Sequence, residues 1–249
     1  MVTKKKVLAV IPARLGSTRF PEKVIRNVRG KPLVQYAYEA ACSCSLIDKT
    51  IVAVDDPKVQ KIVESFGGEA VMTSQLHPSG SDRVFEAAQK FQYEIVLNLQ
   101  ADEPLITPVL VEKLTQPLLQ DEQVAMSTLV TNLDENCLDD PNYVKVVVDR
   151  NGDALYFSRS AIPYLRNKNS DQRPFWLKHI GLYGYKYRTL EMYTSLAPSY
   201  LEKCESLEQL RILEHGVKIR TVLVKNVKLI SIDTKEDFDR LEAYLKKES

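Results

Sequence analysis

The sequence lacks any apolar run long enough to cross a membrane. No segment approaches the ~20 apolar residues of a membrane-spanning helix, and the basic start Met1–Lys6 is followed only by the short apolar run Val7–Ile11. That run is shorter than the core of a secretory signal peptide, which has about 7–15 residues. We therefore expect a cytoplasmic protein that does not associate with a membrane.

The chain also lacks an excess of either charge. Lys and Arg number 34 and Asp and Glu number 33, which leaves a formal net charge of +1. A strongly basic surface is the usual footprint of proteins that bind nucleic acid or anionic lipid. Charge therefore favours neither class of partner, and we expect small-molecule ligands and no nucleic acid.

Cysteine is scarce and scattered. The four cysteines are Cys42, Cys44, Cys137 and Cys204, and no two of them form a C-x-x-C pair. This spacing argues against a disulfide framework and against a zinc site. Cys44 lies on the apolar stripe of a predicted helix, so we expect it to be a buried, inert thiol.

The glycine-rich phosphate-binding motifs are missing. The chain contains neither G-x-x-x-x-G-K-[ST] nor G-x-G-x-x-G, which argues against a P-loop enzyme and against an oxidoreductase built on a dinucleotide-binding domain. There is also no repeat, low-complexity tract or linker. A chain of 249 residues can therefore bury its core as one domain, with or without a small lobe.

The opening strand and the loop after it are the first candidate site. The continuous apolar run Val7–Ile11 predicts a strand buried on both faces, and Pro12 is expected to end it. The loop from Ala13 to Lys23 then carries three cations, two hydroxyls and a glycine. Ligands bind at the carboxyl edge of open α/β sheets, so this loop suits a polyphosphate. A solvated basic surface loop remains the alternative.

Acidic residues follow two other predicted strands. Asp102 comes after the strand Glu94–Leu99, and Asp233 ends the strand Leu229–Asp233, at the start of a helix. The adjacent carboxylates Asp102 and Glu103 are hard oxygen ligands near phosphate-seeking cations, and such ligands suit Mg²⁺. Helix-capping or turn-forming acids remain the alternative for Asp102 and Asp233.

Apolar periodicity predicts alternating strands and helices along the rest of the chain. Asn151-Gly152, between two apolar runs, predicts a hairpin, and Thr234 with Asp237 has the spacing of a capping box. Ser81 is the expected N-cap of its helix. The predicted strands are Val7–Ile11, Thr50–Val54, Glu69–Met72, Glu94–Leu99, Val124–Val130, Tyr143–Val148, Asp153–Phe157, Lys178–Tyr185 and Leu229–Asp233, and the predicted helices follow Pro32, Asp56, Ser81, Thr107 and Thr234 and span Ser206–Glu214.

Several ordered blocks resemble the sugar-acid cytidylyltransferases, and most closely the 3-deoxy-manno-octulosonate cytidylyltransferase (CMP-Kdo synthetase) family. The resemblance begins in the opening loop and runs from Val7 to about Leu245. One departure is Ala101, which stands where the family has glycine in its G-D-E-P block. The blocks are Ile11–Arg19, Ser79–Arg83, Gln100–Pro104, Ala154–Arg159, Lys178–Tyr185, Glu208-Gln209 and Asp233.

The resemblance implies a fold, an assembly and a reaction. The fold is α/β, a Rossmann-like nucleotidyltransferase domain over residues 1–249 with a mixed, mostly parallel central sheet and a small hairpin lobe around 145–190. The implied assembly is a homodimer, with the lobe at its interface. The implied reaction is CTP + Kdo → CMP-Kdo + diphosphate, a step in lipopolysaccharide biosynthesis.

The resemblance also implies roles for individual residues. Mg²⁺ is held by Asp102 and Asp233, and Arg14 and Lys23 act with them as the catalytic set. Arg19 is a further candidate for the phosphates. The implied nucleotide-binding residues are Ala13, Arg14, Ser17, Lys23, Ser79, Gly80, Ser81, Arg83 and Gln100, and the implied sugar-binding residues are Gln100, Arg159, His179, Tyr183, Glu208 and Gln209.

The same residues also have purely structural interpretations. A lone histidine such as His179 is most often structural, a Glu-Gln pair such as Glu208 with Gln209 is often solvated, and the Ser79–Arg83 segment suits an ordinary capped helix. Alternatives of function also remain. They are a cytidylyltransferase for the 8-amino analogue of Kdo or for a sialic-type acid, and a non-catalytic nucleotide-binding protein.

Overall fold

The computed structural model describes residues 5–16, 20–167 and 175–247. The chain divides into two compact units. Unit 1 comprises Met1–Glu112 and Lys228–Ser249, and unit 2 comprises Lys113–Val227. The expectation of one domain with a lobe around 145–190 stays a prediction.

Unit 1 is built on a parallel sheet with the strand order β6-β1-β4-β5. Its central strand, β1, pairs on one side with β4 and on the other with β6, and its apolar residues are almost fully buried. Near-continuous apolar runs are typical of strands in such a sheet. The strands are β1 (Val7–Ala13), β4 (Lys49–Val54), β5 (Ala70–Met72) and β6 (Ile95–Asn98), and a separate two-stranded ribbon pairs β2 (Asn27–Val28) with β3 (Lys31–Pro32).

The first strand is longer than the sequence indicated. Pro12 does not end it, because β1 continues to Ala13 and pairs residue by residue with β4 through Ala13 and Val54. Pairing with β6 extends only to Val10. Pro12 therefore lies where β1 has a partner strand on one side only, and such a position tolerates the missing N–H of proline.

The helices of unit 1 have apolar faces at helical spacing, as their sequence predicted. Ser79, and not Ser81, caps the third of them: its side chain accepts from the Asp82 N–H, while Ser81 lies buried in the first turn. The prediction of Ser81 as N-cap was therefore wrong by two residues. The helices are α1 (Leu33–Cys42), α2 (Pro57–Ser65), α3 (Gly80–Ala88) and α8 (Lys235–Lys247), and α4 (Pro108–Gln120) runs from unit 1 into unit 2.

The segment before α8 is not the strand that its apolar residues predicted. Leu229–Asp233 has no strand pairing, and one backbone bond ties it to the turn after β6, from Ile232 N to Asp102 O at 2.9 Å. Ile232 instead belongs to a buried cluster with Phe20, Val28, Leu33 and Leu241. The apolar residues of this segment therefore reflect burial against loops and helices and not a place in the sheet.

Unit 2 combines parallel and antiparallel pairing. β7 pairs with β11 in parallel and with β10 in antiparallel fashion, and β8 joins β10 to β9. The Asn151-Gly152 turn connects β8 to β9 as predicted, with Gly152 at a φ of +82°. The strands are β7 (Met126–Asn132), β8 (Lys145–Val148), β9 (Ala154–Ser158), β10 (Leu177–Lys186) and β11 (Ile219–Leu223).

Three short helices complete unit 2, and two of them lacked a clear apolar signal in the sequence. They are α5 (Tyr187–Ser195), α6 (Tyr200–Glu205) and α7 (Gln209–Glu214). The single helix predicted over Ser206–Glu214 is thus shorter, because Ser206 adopts a left-handed conformation that ends α6.

The α/β class with mixed, mostly parallel pairing is confirmed. In unit 1, β1 pairs in parallel with β4 and β6, and β4 with β5; antiparallel pairs join β10 to β7 in unit 2 and β2 to β3 in the small ribbon. Among the described residues, no helix has both the length and the apolar character needed to span a bilayer.

Cys44 is buried, and this burial raises the pKa of its thiol, in keeping with the inert role predicted for it.

Candidate active site

A lysine in unit 1 lies among three oxygen atoms. The Lys23 Nζ donates to Asp102 Oδ2 at 2.7 Å, to Ile232 O at 2.8 Å and to Asp233 Oδ1 at 3.1 Å. The lysine side chain is only 13% exposed. The structure thus brings together three of the four residues predicted as the catalytic set.

Local structure holds each of these oxygens in place. Asp102 lies in the turn that follows β6, and its carbonyl accepts the N–H of Ile232. Asp233 is fixed by the start of α8, where Asp237 Oδ2 accepts from the N–H groups of Asp233 and Thr234. The Asp237 N–H in turn donates to Thr234 Oγ1. The predicted capping box is therefore confirmed, and it orients Asp233 toward Lys23.

The electrostatics of this group, which we call the Lys23 cage (Lys23, Asp102, Ile232 O and Asp233), favour a cation. Burial by itself lowers the pKa of the Lys23 ammonium, but the Asp102 and Asp233 carboxylates outweigh that effect, so the net pKa is raised. Lys23 is therefore charged at neutral pH. Its positive charge offsets the repulsion that the two carboxylates would otherwise exert on each other.

The donor set of the cage also suits a hard metal ion. Two carboxylates and a main-chain carbonyl are oxygen ligands, and Mg²⁺ is commonly bound by one or two carboxylates while keeping several waters. The Lys23 ammonium marks a point at which these oxygens already surround a positive charge. Within the described part of the chain, no cluster of three or more His, Cys, Asp or Glu side chains offers a richer site.

The residue in place of the family glycine leaves the cage intact. Ala101 is buried and does not have a positive φ. The turn therefore does not need the conformational freedom of glycine at this position, and Asp102 keeps its place beside Lys23.

A polar pocket of about 310 Å³ lies beside the opening loop. Arg14 is exposed at its edge, and Arg83, from α3, is buried in its wall. The pocket thus joins two of the segments that were predicted to bind the nucleotide. It is lined by Arg14, Leu15, Gly16, Asp55, Asp56, Gln75, His77 and Arg83.

Asp55 holds this pocket together, and the sequence interpretation missed it. One carboxylate oxygen accepts the Leu15 N–H at 2.9 Å, and the other accepts from Arg83 Nη2 at 3.0 Å. Arg83 Nη1 also donates to Thr73 Oγ1 at 2.7 Å. Asp55 therefore ties the opening loop to α3. The available signal was its position as an acid directly after a buried strand, the same pattern that identified Asp102.

The remaining residues predicted to bind the nucleotide are spread along unit 1. Ala13 is buried at the end of β1, and Gly80 and Ser81 begin α3. Ser79 Oγ donates to Asp82 Oδ2 at 2.6 Å, and Gln100 Nε2 donates to Asn98 Oδ1 at 2.9 Å. Ser17 and Arg19 lie outside the described residues.

In unit 2, Arg159 is anchored by main-chain carbonyls. Its guanidinium donates to the carbonyl oxygens of Glu205 at 2.8 Å, Pro141 at 2.9 Å and Ser206 at 3.3 Å. These bonds use three of the five N–H donors of a guanidinium. Among the described residues, the other two donors have no partner, and two donors are enough for a bidentate carboxylate. Lys145, which the sequence interpretation also missed, is fully buried and donates to the Arg159 carbonyl.

Three of the residues predicted to bind the sugar contact one another. The rings of His179 and Tyr183 lie 5.4 Å apart, and the Tyr183 hydroxyl donates to Gln209 Oε1 at 3.1 Å. Gln209 Nε2 is buried and, within the described residues, has no hydrogen-bond partner. A buried donor left in this state is costly, so this amide is suited to a ligand oxygen. Glu208 lies beside it at the start of α7.

Thr128 determines which nitrogen of His179 carries the proton. The Thr128 hydroxyl donates to the carbonyls of Leu182 at 2.8 Å and Ile180 at 3.2 Å, so it can only accept from His179 Nε2, which lies 3.0 Å away. Burial lowers the pKa of His179 to about 3, with Lys178 adding to the shift. The ring is therefore neutral with the proton on Nε2, and Nδ1 is an acceptor.

Comparison with known proteins shows that this chain is similar to cytidylyltransferases. The cytidylyltransferase family model matches residues 8–219. A 3-deoxy-manno-octulosonate cytidylyltransferase of Thermodesulfovibrio yellowstonii is 46% identical over 250 residues, covering 96% of this chain and 97% of the relative. The protein of the same name from Chloroherpeton thalassium is 44% identical over 245 residues, covering 97% and 98%.

Solved structures agree at two levels of similarity. A structure described as CMP:2-keto-3-deoxy-manno-octonic acid synthetase complexed with CTP superposes with a TM-score of 0.93 at 41% identity, covering 98% of this chain and 100% of that one. A cytidylyltransferase from Leptospira borgpetersenii has a TM-score of 0.64 at 16% identity, covering 96% and 85%. The second likeness shows the fold alone.

The Asp55–Arg83 pair predicts a loss of stability on removal of one charge. We expect Asp55→Asn to lower the free energy of unfolding by about 3 kcal/mol, because it leaves a buried guanidinium without its counter-ion. Asp56→Asn is the matched control, since Asp56 caps α2 and Asn caps helices equally well. Urea unfolding of both variants is the measurement. Equal stabilities for the two would contradict the proposed role of Asp55.

The buried neutral His179 predicts a pH-dependent stability. Because its pKa of about 3 lies below the value near 6.5 in the unfolded chain, the unfolded state binds more protons between these limits, and stability falls as pH falls. From pH 7 to pH 5, wild type should lose about 2 kcal/mol more than His179→Gln. Urea unfolding at both pH values tests this. Equal losses of stability in wild type and in His179→Gln would show that His179 is not buried and neutral.

Proposed function

The chain belongs to the 3-deoxy-manno-octulosonate cytidylyltransferase family, and on that premise we propose that it transfers CMP from CTP to Kdo. In this reaction the anomeric hydroxyl oxygen of Kdo attacks the α-phosphorus of CTP. The bond from that phosphorus to the β-phosphate oxygen breaks, and diphosphate leaves. The observation that carries the proposal is the likeness, at more than 40% identity over nearly the whole of both chains, to proteins of that name.

The nucleotide belongs to unit 1 in this proposal. Arg14 and Lys23 supply positive charge for the triphosphate, and the pocket beside the opening loop receives the base. Asp55 keeps Leu15 and Arg83 in position before the nucleotide arrives. Nucleotidyl transfer depends mainly on charge neutralisation and on in-line positioning, and these residues provide both without a covalent intermediate.

The sugar acid belongs to residues of unit 2 in this proposal, and the sugar contact that the resemblance implies for Gln100 stays a prediction. The two remaining N–H donors of Arg159 suit the carboxylate of the acid. His179 Nδ1 accepts from a sugar hydroxyl, and Gln209 Nε2 donates to a sugar oxygen. Tyr183 orients Gln209 through its hydroxyl, and Glu208 is a further acceptor for a hydroxyl.

The metal in this proposal is Mg²⁺, held by Asp102 and Asp233. When bound, it would lower the pKa of the attacking hydroxyl and neutralise charge on the leaving diphosphate. The oxygen donors of the Lys23 cage support the assignment. A cytoplasmic homodimer, with the region around 145–190 at its interface, completes the proposal.

The test is diphosphate release from CTP with a panel of sugar acids. We expect turnover with Kdo and Mg²⁺, and a fall in kcat of about 100-fold or more in Asp102→Asn and in Asp233→Asn, because each loses an anionic metal ligand. Asp121→Asn, a change in the surface turn that follows α4, is the control. Preference for the 8-amino analogue or a sialic acid over Kdo would contradict the assignment of Kdo as substrate. Full activity of both Asn variants would contradict the assignment of Asp102 and Asp233 as metal ligands.

Arg159 provides a separate test of the acid-binding half of the site. We expect Arg159→Ala to lower kcat/KM for Kdo by about 30-fold or more, since a lost partner for a bound charge costs about 2–5 kcal/mol. The Kd for CTP should change little.

Because Arg159 also anchors three carbonyls, thermal unfolding of the same variant must show that it remains folded at the assay temperature. Arg150→Ala, at an exposed arginine near the β8–β9 turn, is the matched control. Loss of CTP affinity with an unchanged kcat/KM for Kdo would mean that Arg159 serves the nucleotide.

A further inference from the structure

Lys23 has two roles that exclude each other. A lysine ammonium has three N–H donors, and in the Lys23 cage all three are directed at Asp102, Asp233 and the Ile232 carbonyl. No donor is then left for a phosphate oxygen. Lys23 can bind a triphosphate only after it leaves the cage.

The oxygens that hold Lys23 are also those that a divalent cation needs. An ammonium and a metal ion a few ångströms apart repel each other strongly in a partly buried site. Binding of either one to the two carboxylates therefore opposes binding of the other. The residue and the metal compete for one set of ligands.

From these contacts we propose that Lys23 is an exchangeable cation. It neutralises Asp102 and Asp233 while the metal is absent, and metal binding releases its ammonium to the triphosphate. This inference rests on the proposed function, because it uses the metal ligands assigned there. It also gives the order of events at the site. The metal first binds Asp102 and Asp233, and the Lys23 ammonium is then available to the phosphates.

The local structure confines such an exchange to the side chain. The Lys23 carbonyl accepts the N–H of Arg26 at 3.1 Å, and the next residue, Val24, is buried. The main chain of this turn is therefore fixed in position. The flexible four-carbon side chain of Lys23 can still rotate and carry its ammonium to a new partner.

Metal binding to the nucleotide-free protein tests the competition directly. We expect Lys23→Met to bind Mg²⁺ at least about 10-fold more tightly than wild type by calorimetry, because the ion no longer displaces a unit charge from the same oxygens. Lys49→Met is the matched control, since Lys49 pairs with Glu69 at 2.6 Å on the surface of unit 1 and should leave the affinity unchanged. Equal or weaker binding by Lys23→Met would overturn the proposal.

A second measurement uses the wild-type protein and does not depend on how the variant folds. Acetic anhydride labelling followed by mass spectrometry should acetylate Lys23 slowly in EDTA and several-fold faster in saturating Mg²⁺ without nucleotide. Labelling of Lys49 should not respond to Mg²⁺. Labelling of Lys23 that stays constant or falls on addition of Mg²⁺ would overturn the exchange.

Diphosphate release by the same preparation separates this inference from the proposed function. Turnover of CTP and Kdo together with unchanged Lys23 labelling would refute the exchange and leave the function standing. Failure of turnover with Kdo would refute the function. A gain of Lys23 labelling with Mg²⁺ would then still support exchange at the carboxylate pair.

Discussion

Unit 1 depends on one positive charge held by oxygens from distant parts of the chain. Lys23 lies 79 residues from Asp102 and 210 residues from Asp233, yet its ammonium is within hydrogen-bond distance of both carboxylates. The last segment of the chain can reach this point because Ile232 and Leu241 are buried with residues of the opening region. Apolar burial thus supplies the free energy that brings two like charges together, and Lys23 removes the repulsion between them.

The capacity of the other polar side chains to bind a ligand depends on how many of their hydrogen-bond donors already have partners within the protein. Arg83 uses two of its donors on Asp55 and Thr73, and these bonds hold it in the wall of the pocket. Arg159 uses three of its donors on main-chain carbonyls, which fixes its plane; within the part of the chain that the structure describes, two N–H groups are left for a substrate. Gln209 keeps a buried amide nitrogen without a partner among the described residues. Some residues therefore shape the site and others bind the substrate. Because the site is already ordered, less conformational entropy is lost when a substrate binds.

Much of the fold and part of the site could be predicted from local patterns. Apolar runs located the strands of the unit 1 sheet, and the residues after them identified Asp102 and the opening loop. The same reasoning failed for Leu229–Asp233, whose apolar residues are buried outside the sheet, and for α5 and α6, whose mixed polarity carries no clear period. Asp55 was visible as an acid at a strand end, but nothing local showed that its partner would be Arg83, since that pairing exists only after α3 packs beside β4.

By itself the sequence determined the class of chemistry: cations in the loop after the first strand, acids after later strands, and ordered blocks shared with one enzyme family. Only the tertiary structure decided which of these charges meet. It placed Lys23 between the two acids instead of leaving it free, and it assigned the proton of His179 through Thr128. The physical reason is that periodicity and capping act over a few residues, whereas the partner of a charged or buried polar group is chosen by packing between segments far apart in the chain.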